Sequence, residues 1–192
     1  MRKLILQVQL SVDGFVGGPN GELDWMTWNL DDSVSAFINS LTDRCDTILL
    51  GRNMTDGFVN YWESVVNNQP GSPECPFALK MVNYPKIVFS RTITESNWNN
   101  TTIATGDFVS FIKKLKEQPG KDIIVYGGAG FVSSLIKEGM IDEFNLFYNP
   151  VLINKGLQIF GLLENRQKLT LLDAVPYSCG VSVIRYQLNQ DA

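Results

Sequence analysis

The sequence has no histidine among its 192 residues. Histidine is the base in Ser-His-Asp and Cys-His catalysis and a frequent zinc ligand, so its absence excludes both catalytic arrangements and most zinc chemistry. Cysteine is also scarce, and Cys45, Cys75 and Cys179 are too widely spaced for a disulfide framework or a metal motif. Any proton donor must therefore be a carboxyl group, a lysine, a tyrosine, a thiol or water. No metal site is predicted.

Excess positive charge and long apolar runs are missing as well. The formal net charge is -4, which argues against nucleic acid as the main partner because a phosphate backbone needs a concentrated basic face. No apolar run reaches the length of a transmembrane helix. Gln7, Gln9 and Asp13 interrupt the apolar N-terminal segment, which has no signal-peptide cleavage site. We therefore expect a cytoplasmic protein with reduced thiols and no membrane partner.

What the sequence contains is an alternation of short apolar runs and segments of helical periodicity. The runs typical of buried strands are KLILQVQL (3–10), TILLG (47–51), KIVFS (86–90), TTIAT (101–105) and DIIVY (122–126). Apolar residues recur on one helix face in 34–41, 108–115 and 131–136. The polar stretch 64–76 is predicted to be a loop, and beyond residue 140 strands follow one another with little helix.

This order of elements predicts an α/β fold that forms one domain, residues 1–192. Alternating strands and helices favour a mostly parallel central sheet with helices on both faces. The strand-rich last third favours closure of the sheet by a C-terminal antiparallel strand or hairpin.

Glycines follow the strand predicted at 122–126, in the segment VYGGAGFVSSLI. At a strand-to-helix junction several backbone N–H groups lack partners and favour an anion, and glycine lets a ligand approach the bare backbone. The alternative is a tight turn that needs positive φ, and the GGAG motif alone does not separate the two explanations. Position 129 is alanine, so the motif differs from the dinucleotide fingerprint G-x-G-x-x-G.

Two further junctions follow predicted strands. Gly51 and Arg52 end one apolar run, in LLGRNMT, and Ser90 and Arg91 end another, in VFSRT. Ligands of open α/β sheets bind beyond the carboxyl ends of the strands, and the planar guanidinium group of arginine suits phosphate. Each arginine taken alone is more often a solvated surface residue, and the prediction of a binding site depends on both arginines following buried strands at the same edge.

Taken together, these segments resemble the dihydrofolate reductase-like fold. The similarity is strongest to bacterial reductases related to the C-terminal reductase domain of the bifunctional riboflavin-biosynthesis enzyme. It extends through nearly the whole chain and is carried by LSVDGFVGG, LGRNMT, VFSRT, VYGGAGFVSSLI and MIDEFNLFYNPVLINKGLQIF. The zinc deaminase domain of the bifunctional enzyme needs a His/Cys cluster, which a chain without histidine does not provide.

The resemblance implies a three-layer fold, NADPH as cofactor, and hydride transfer to a small heterocyclic substrate that is pterin-, folate- or pyrimidine-like. It also implies a homodimer. The alternative is a catalytically inactive nucleotide-binding or interaction protein on the same fold.

The resemblance further implies the residues of the cofactor site. The pyrophosphate would be held by the turn of Tyr126, Gly127, Gly128, Ala129, Gly130, Phe131 and Val132. The other phosphate side would be met by the helix that opens with Gly51, Arg52, Asn53, Met54 and Thr55. Ser90 and Arg91 would meet the adenosine ribose and its 2′-phosphate. Val8, Val16 and Gly17 would contact the nicotinamide.

Catalytic and substrate residues are implied by the segment WNLDD, which is similar to the Trp-Asn-Leu segment before the buried carboxyl group of dihydrofolate reductases. Asp32 or Asp31 would then protonate the substrate, and the alternative is that both only cap the following helix. Trp25 and Trp28 would form the floor for a flat substrate, or else pack the loop that carries them.

Overall fold

The computed structural model describes residues 1–189, which contain one eight-stranded sheet. The strands are β1 (Leu4–Ser11), β2 (Cys45–Gly51), β3 (Lys86–Phe89), β4 (Thr101–Ala104), β5 (Asp122–Val125), β6 (Glu143–Asn149), β7 (Leu169–Pro176) and β8 (Ser182–Leu188). Their order across the sheet is β4-β3-β2-β5-β1-β6-β8-β7. Strands β1 to β6 pair in parallel, and β8 pairs antiparallel with both β6 and β7. The predicted parallel sheet with a C-terminal antiparallel hairpin is confirmed.

Five helices cover both faces of this sheet within the described part of the chain. They are α1 (Asp32–Asp43), α2 (Arg52–Asn68), α3 (Cys75–Asn83), α4 (Phe108–Glu117) and α5 (Ala129–Lys137). Helices α4 and α5 pack on one face, whereas α1, α2 and α3 pack on the other. The three-layer arrangement expected from the sequence is therefore confirmed. Within residues 1–189 no helix has both the length and the hydropathy needed to cross a membrane.

Strand β1 shows how the sequence specifies two buried faces. Leu4 and Leu6 belong to the apolar cluster beneath α4 and α5, while Ile5 between them belongs to the cluster beneath α2 and α3. All three side chains are 0% exposed. Burying one such side chain stabilises the fold by about 1.5–3 kcal/mol, so a continuous apolar run is the expected sequence of a central parallel strand.

The prediction of a loop over 64–76 is wrong at both of its ends. Helix α2 continues to Asn68, and α3 begins at Cys75. Val59 and Val65 bury one side of α2, but polar residues dominate its exposed side and weaken the periodic signal. Pro76 lies in the first turn of α3, where a missing N–H group has no cost. Only residues 69–74 connect the two helices.

Candidate functional site

The predicted junctions lie side by side at the carboxyl edge of the sheet. Strands β3, β2, β5 and β1 are consecutive neighbours in the strand order, so the segments that follow them are also neighbours. The N–H group of Gly51 after β2 donates to the carbonyl oxygen of Gly127 after β5, at 3.4 Å. The order of the strands thus brings together turns that are about 40 to 75 residues apart in the chain.

The backbones of two of these turns touch at Gly51 and Gly128. A Cβ atom added to Gly128 would lie 2.8 Å from the Cα atom of Gly51, and Gly128 has a φ of +86°, which glycine adopts without strain. Glycine is therefore required here for the turn itself. This finding confirms the structural explanation of the glycines and leaves the backbone beyond them accessible: a Cβ atom on Gly130 would meet nothing within 4 Å.

Two of the helices that begin at this edge, α2 and α5, lack side-chain caps. Gly51 is the N-cap of α2 and Gly128 the N-cap of α5, and neither start has a side-chain hydrogen bond or an acidic residue in its first turn. In contrast, the carboxylates of Asp31 and Asp107 accept hydrogen bonds from the first N–H groups of α1 and α4. The starts of α2 and α5 therefore combine free N–H groups with the positive end of the helix dipole, which favours a bound anion.

Arg52, the first residue of α2, has a fixed orientation. Its guanidinium group pairs with Asp56 at 3.0 Å and lies over the indole ring of Trp98, 4.9 Å from the ring centre. The indole Nε1 of Trp98 donates to the other carboxylate oxygen of Asp56 at 3.0 Å. Trp98 is a neighbour of the candidate site that the sequence analysis misses, because it lies in a polar segment without periodicity and contacts Arg52 only in the fold.

The two residues predicted to bind after β3 differ in their surroundings: Ser90 has a structural role, whereas the side chain of Arg91 is available to a ligand. Ser90 is 8% exposed, and its hydroxyl oxygen accepts hydrogen bonds at 3.1 Å from the N–H groups of Thr92 and Ile93, so it shapes the turn. Arg91 is exposed, and it forms no ion pair with any residue from 1 to 189. Its guanidinium group is free to bind an anion.

Two of the residues implied for the cofactor site have no surface there. Thr55 is 0% exposed and its hydroxyl group donates to the carbonyl oxygen of Gly51 at 3.0 Å. Val132 is 0% exposed and its N–H group donates to the carbonyl oxygen of Gly128. Both residues face the core from inside their helices, so the predicted contacts of their side chains are corrected to structural roles.

The side chain of Tyr126 is also held by contacts with helices α1 and α2. Its hydroxyl oxygen is 3.1 Å from the hydroxyl oxygen of Thr42 in α1, and its ring centre is 5.7 Å from that of Phe58 in α2. Burial raises the pKa of the Tyr126 hydroxyl, which therefore stays protonated. The backbone of this residue, rather than its ring, borders the turn of Gly127 and Gly128.

Asp31 acts as the N-cap of α1. Its carboxylate accepts hydrogen bonds from the hydroxyl group of Ser33 (2.7 Å), the N–H group of Val34 (3.0 Å) and the hydroxyl group of Ser178 (2.7 Å). These bonds, that from Ser33 first, hold the pKa of Asp31 far below its usual value. The cap interpretation is confirmed for Asp31, which is a poor proton donor. Asp32 is exposed in the first turn, and its acid role stays a prediction.

The loop after β1 is anchored by the segment that follows β6. The N–H group of Val16 donates to the carbonyl oxygen of Leu157 (2.9 Å), and the N–H group of Leu157 donates to that of Gly17 (2.8 Å). The carboxylate of Asp13 accepts from the N–H groups of Ile153 and Asn154. Four hydrogen bonds therefore fix the base of the loop.

The two tryptophans of this loop differ. The indole Nε1 of Trp25 donates to the carbonyl oxygen of Glu22 at 3.0 Å, which ties that ring to its own loop. Trp28 is 61% exposed, so its ring is available to a ligand.

Within residues 1–189 no three His, Cys, Asp or Glu side chains are grouped to hold a metal ion.

Comparison with known proteins gives concordant matches. A family model described as the RibD C-terminal domain matches residues 2–183. The uncharacterized protein YyaP of Bacillus subtilis (strain 168) is 34% identical over 188 residues, which cover 98% of this chain and 96% of that protein.

Solved structures give the same fold. A protein from Shewanella sp. PV-4, described provisionally as a riboflavin biosynthesis protein, superposes with a TM-score of 0.73 at 23% identity, covering 99% of this chain and 100% of that one. The dihydrofolate reductase of Enterococcus faecalis, solved in a complex with NADP(H), superposes with a TM-score of 0.64 at 15% identity, covering 98% of this chain and 97% of that one. The architecture is therefore that of dihydrofolate reductase-like proteins.

Proposed function

Because the chain belongs to the RibD C-terminal domain family, we propose that it is a single-domain, NADPH-dependent reductase that transfers hydride to a small heterocyclic substrate. The observation that carries this proposal is the meeting of two uncapped helix starts, at Gly51 and Gly128, beside the exposed Arg91. Two such starts offer N–H groups to a diphosphate, and a nearby arginine suits a further phosphate.

The unpaired charge of Arg91 and the accessible backbone at this edge support NADPH as the cofactor. The backbone of 127–130 would hold the pyrophosphate together with the start of α2, where Arg52, Asn53 and Met54 lie. Arg91 beside Ser90 would bind the 2′-phosphate, which NADH lacks. Val8, Val16 and Gly17 would border the nicotinamide, and Ala129 and Phe131 would flank the pyrophosphate turn.

When bound, the cofactor supplies a hydride to a carbon atom of the substrate. If the acceptor is a C=N bond, its π electrons pass to nitrogen, which takes one proton. Asp32 is an exposed carboxyl group in the first turn of α1, directly after the Trp-Asn-Leu segment and Asp31, and we propose that it or water supplies this proton. Asp32→Asn should then change the pH profile of turnover, because an amide cannot donate the proton that a carboxyl group donates, and an unchanged profile would leave water as the donor.

The decisive experiment is a fluorescence titration with NADPH and with NADH. We expect a clear preference for NADPH in the wild type. Arg91→Ala should weaken NADPH about tenfold or more and leave NADH nearly unchanged, because a charge-assisted bond to phosphate contributes about 1.5–3 kcal/mol. Arg166→Ala, at an exposed loop position, is the matched control. Equal losses for both nucleotides would contradict the assignment of Arg91.

Turnover separates the reductase from its alternative. A catalytically inactive nucleotide-binding protein would bind NADPH without oxidising it in the presence of pterins, folates or pyrimidines. An interaction protein would bind neither nucleotide. Oxidation of bound NADPH by any of these acceptors supports the reductase.

We also propose that the protein is a cytoplasmic homodimer. Strand β7 lies at the edge of the sheet, where Leu169, Leu171 and Leu172 are 39%, 56% and 42% exposed. An apolar edge strand normally needs a partner, and the three free thiols suit a reducing compartment. Light scattering should give a dimer for the wild type and a monomer for Leu171→Lys. A monomeric wild type would contradict the dimer.

A further inference from the structure

Four amide side chains lie along the sheet face that α1 and α2 cover. Gln7 and Gln9 of β1 alternate with the apolar residues that face α4 and α5, and Gln7 is paired in register with Asn145 of β6. Asn149 follows on the same face of β6. We call these four residues the amide strip. The apolar cluster under α2 and α3 lies on one side of the strip, and the cluster under α1 lies on the other.

Three members of the amide strip have protein partners. The side-chain Nδ2 of Asn149 donates to Oε1 of Gln9 at 2.9 Å, and its Oδ1 accepts from the N–H group of Thr27 at 2.8 Å. Asn145 accepts from Nε of Arg185 at 3.1 Å. These three side chains hold the strands and the loop in place.

Gln7 differs from the rest of the strip. It is 8% exposed, and its side-chain oxygen Oε1 has no hydrogen-bond partner among residues 1–189. A buried carbonyl oxygen without a partner is costly, and native structures tolerate one where a ligand or an ordered water supplies the missing hydrogen bond. Gln7 lies on β1 between the apolar cluster under α2 and α3 and the apolar cluster under α1. It directly precedes Val8, the residue of β1 that we propose to border the nicotinamide.

The charges on this face indicate what kind of ligand fits. Glu143 is the carboxylate beside Asn145, and it pairs with Arg44 at 3.0 Å and with Arg185 at 3.1 Å. Burial opposes its ionisation, but the hydrogen bonds from both arginines outweigh burial and hold the pKa of Glu143 below its usual value. Its charge is therefore already compensated, and the amide strip offers a cationic ring no free carboxylate.

We propose that Gln7 selects the substrate of the candidate site by hydrogen-bonding a neutral planar heterocycle that carries an N–H donor next to a carbonyl group. This inference rests on the proposed reductase function. An amide is neutral and offers both an acceptor and a donor, so it matches the two groups of such a ring edge and gains nothing from a ring that is protonated.

A matched pair of fluorescent ligands tests the proposal. Pteridine-2,4-dione is neutral, whereas 2,4-diaminopteridine is cationic in mildly acidic buffer. Both are titrated against the wild type, Gln7→Met and Gln7→Glu, with and without NADPH. We expect the wild type to prefer the dione, Gln7→Met to lose about tenfold in affinity for it, and Gln7→Glu to shift its preference to the cation.

Thermal unfolding gives a second, independent test of the role of Gln7. Gln7→Met removes an unpaired buried acceptor, so the melting temperature should rise, by about 2–4 °C for a free-energy gain near 1 kcal/mol. If Gln7 had only a structural role, the melting temperature of Gln7→Met should fall instead. Ser72→Ala is the matched control, because Ser72 Oγ is also buried and unpaired but lies in the loop between α2 and α3. It should leave both pteridine affinities unchanged.

Several outcomes would overturn the proposal. They are equal affinity of the wild type for the two pteridines, no binding of the dione, or an unchanged dione affinity in Gln7→Met. The proposed function fails differently, through loss of NADPH binding in the wild type, and this is measured in the same titrations.

Discussion

At the amino end of the parallel strands charged side chains pair with one another, whereas at the carboxyl end backbone groups and an arginine lack protein partners. Near the first residues of the strands, Lys116 pairs with Asp142 at 2.5 Å and Arg44 pairs with Glu143 at 3.0 Å. Beyond the strands, α2 and α5 start at glycines without side-chain caps, and Arg91 has no ion pair with any residue from 1 to 189. From this difference we expect stability to depend mainly on the amino edge of the sheet and ligand binding on the carboxyl edge.

Removing the central carboxylate of the amino edge should have the largest effect. Glu143→Gln leaves the guanidinium group of Arg185 without its counter-charge and leaves Arg44 with only the longer ion pair to Asp122, at 3.4 Å. Breaking a buried pair costs about 3–5 kcal/mol, and because Arg44 is 38% exposed we expect the lower end, measured as the free energy of unfolding in urea. The affinity of the folded protein for NADPH should not change.

The exposed pair of Lys137 and Glu164 is the control for that experiment. Its carboxylate is 70% exposed, so Glu164→Gln should alter stability by less than about 1 kcal/mol. A loss of NADPH affinity in Glu143→Gln would contradict the expectation that the amino edge affects stability and not NADPH binding.

Gly128→Ala should lower both the stability of the protein and its affinity for NADPH. The new Cβ atom would lie 2.8 Å from the backbone of Gly51 at a φ of +86°, and the conformation alone costs about 1–2 kcal/mol. We expect that loss of stability together with at least a tenfold loss of NADPH affinity. Gly57→Ala, in the middle of α2 with open space around it, should instead gain up to about 1 kcal/mol. Unchanged NADPH binding in Gly128→Ala would remove the turn from the site.

Lys86 sharpens the comparison because it is an amino-edge charge without a carboxylate partner. Its ammonium group donates to the carbonyl oxygens of Met81, Val82 and Tyr84 at the end of α3. Burial lowers the pKa of Lys86 from 10.5 to about 8. The unfolded chain therefore binds more protons between these values, and the contribution of Lys86 to the free energy of unfolding rises with pH in this window.

The measurement is the difference in unfolding free energy between the wild type and Lys86→Met as a function of pH. It should be flat below about pH 8 and increase in favour of the wild type up to about pH 10.5, following the pKa values given above. Lys155→Met, at an exposed position, should show no such rise. A difference that falls with pH would contradict the burial of the charge.

The smallest effect is expected at Trp98. Trp98→Ala removes the ring beneath Arg52, and a cation–π contact contributes about 0.5–1 kcal/mol at an exposed site, so NADPH should bind about twofold to fivefold more weakly. Trp98→Phe keeps a ring and should show a smaller loss. If both variants bind NADPH like the wild type, the orientation of Arg52 does not matter for binding.

Strands β2 and β5 are predictable from the sequence because burial on both faces makes them almost wholly apolar. TILLG and DIIVY contain the signal within five residues, and their glycine-containing ends lie where open α/β sheets bind ligands. Helix α2 is only partly predictable, because Gly57 and several asparagines lie on its exposed side. Its start at Arg52 is predicted, but its end is not.

The roles of single site residues depend on contacts between distant parts of the chain. Asp31 and Asp32 are adjacent, yet only Asp31 receives the hydroxyl group of Ser178, which is 147 positions away. The pairing of Arg52 with Trp98 and the unpaired oxygen of Gln7 likewise follow from the order of the strands. No local pattern carries that information.

The pairing of Gly17 with Leu157 links two pieces of chain that are 140 positions apart. Any side chain on Gly156 would collide with the carbonyl oxygen of Gly17, so the two pieces fit together at one spacing. The position of the loop after β1 is therefore a property of the glycine at 156 as much as of the loop's own residues.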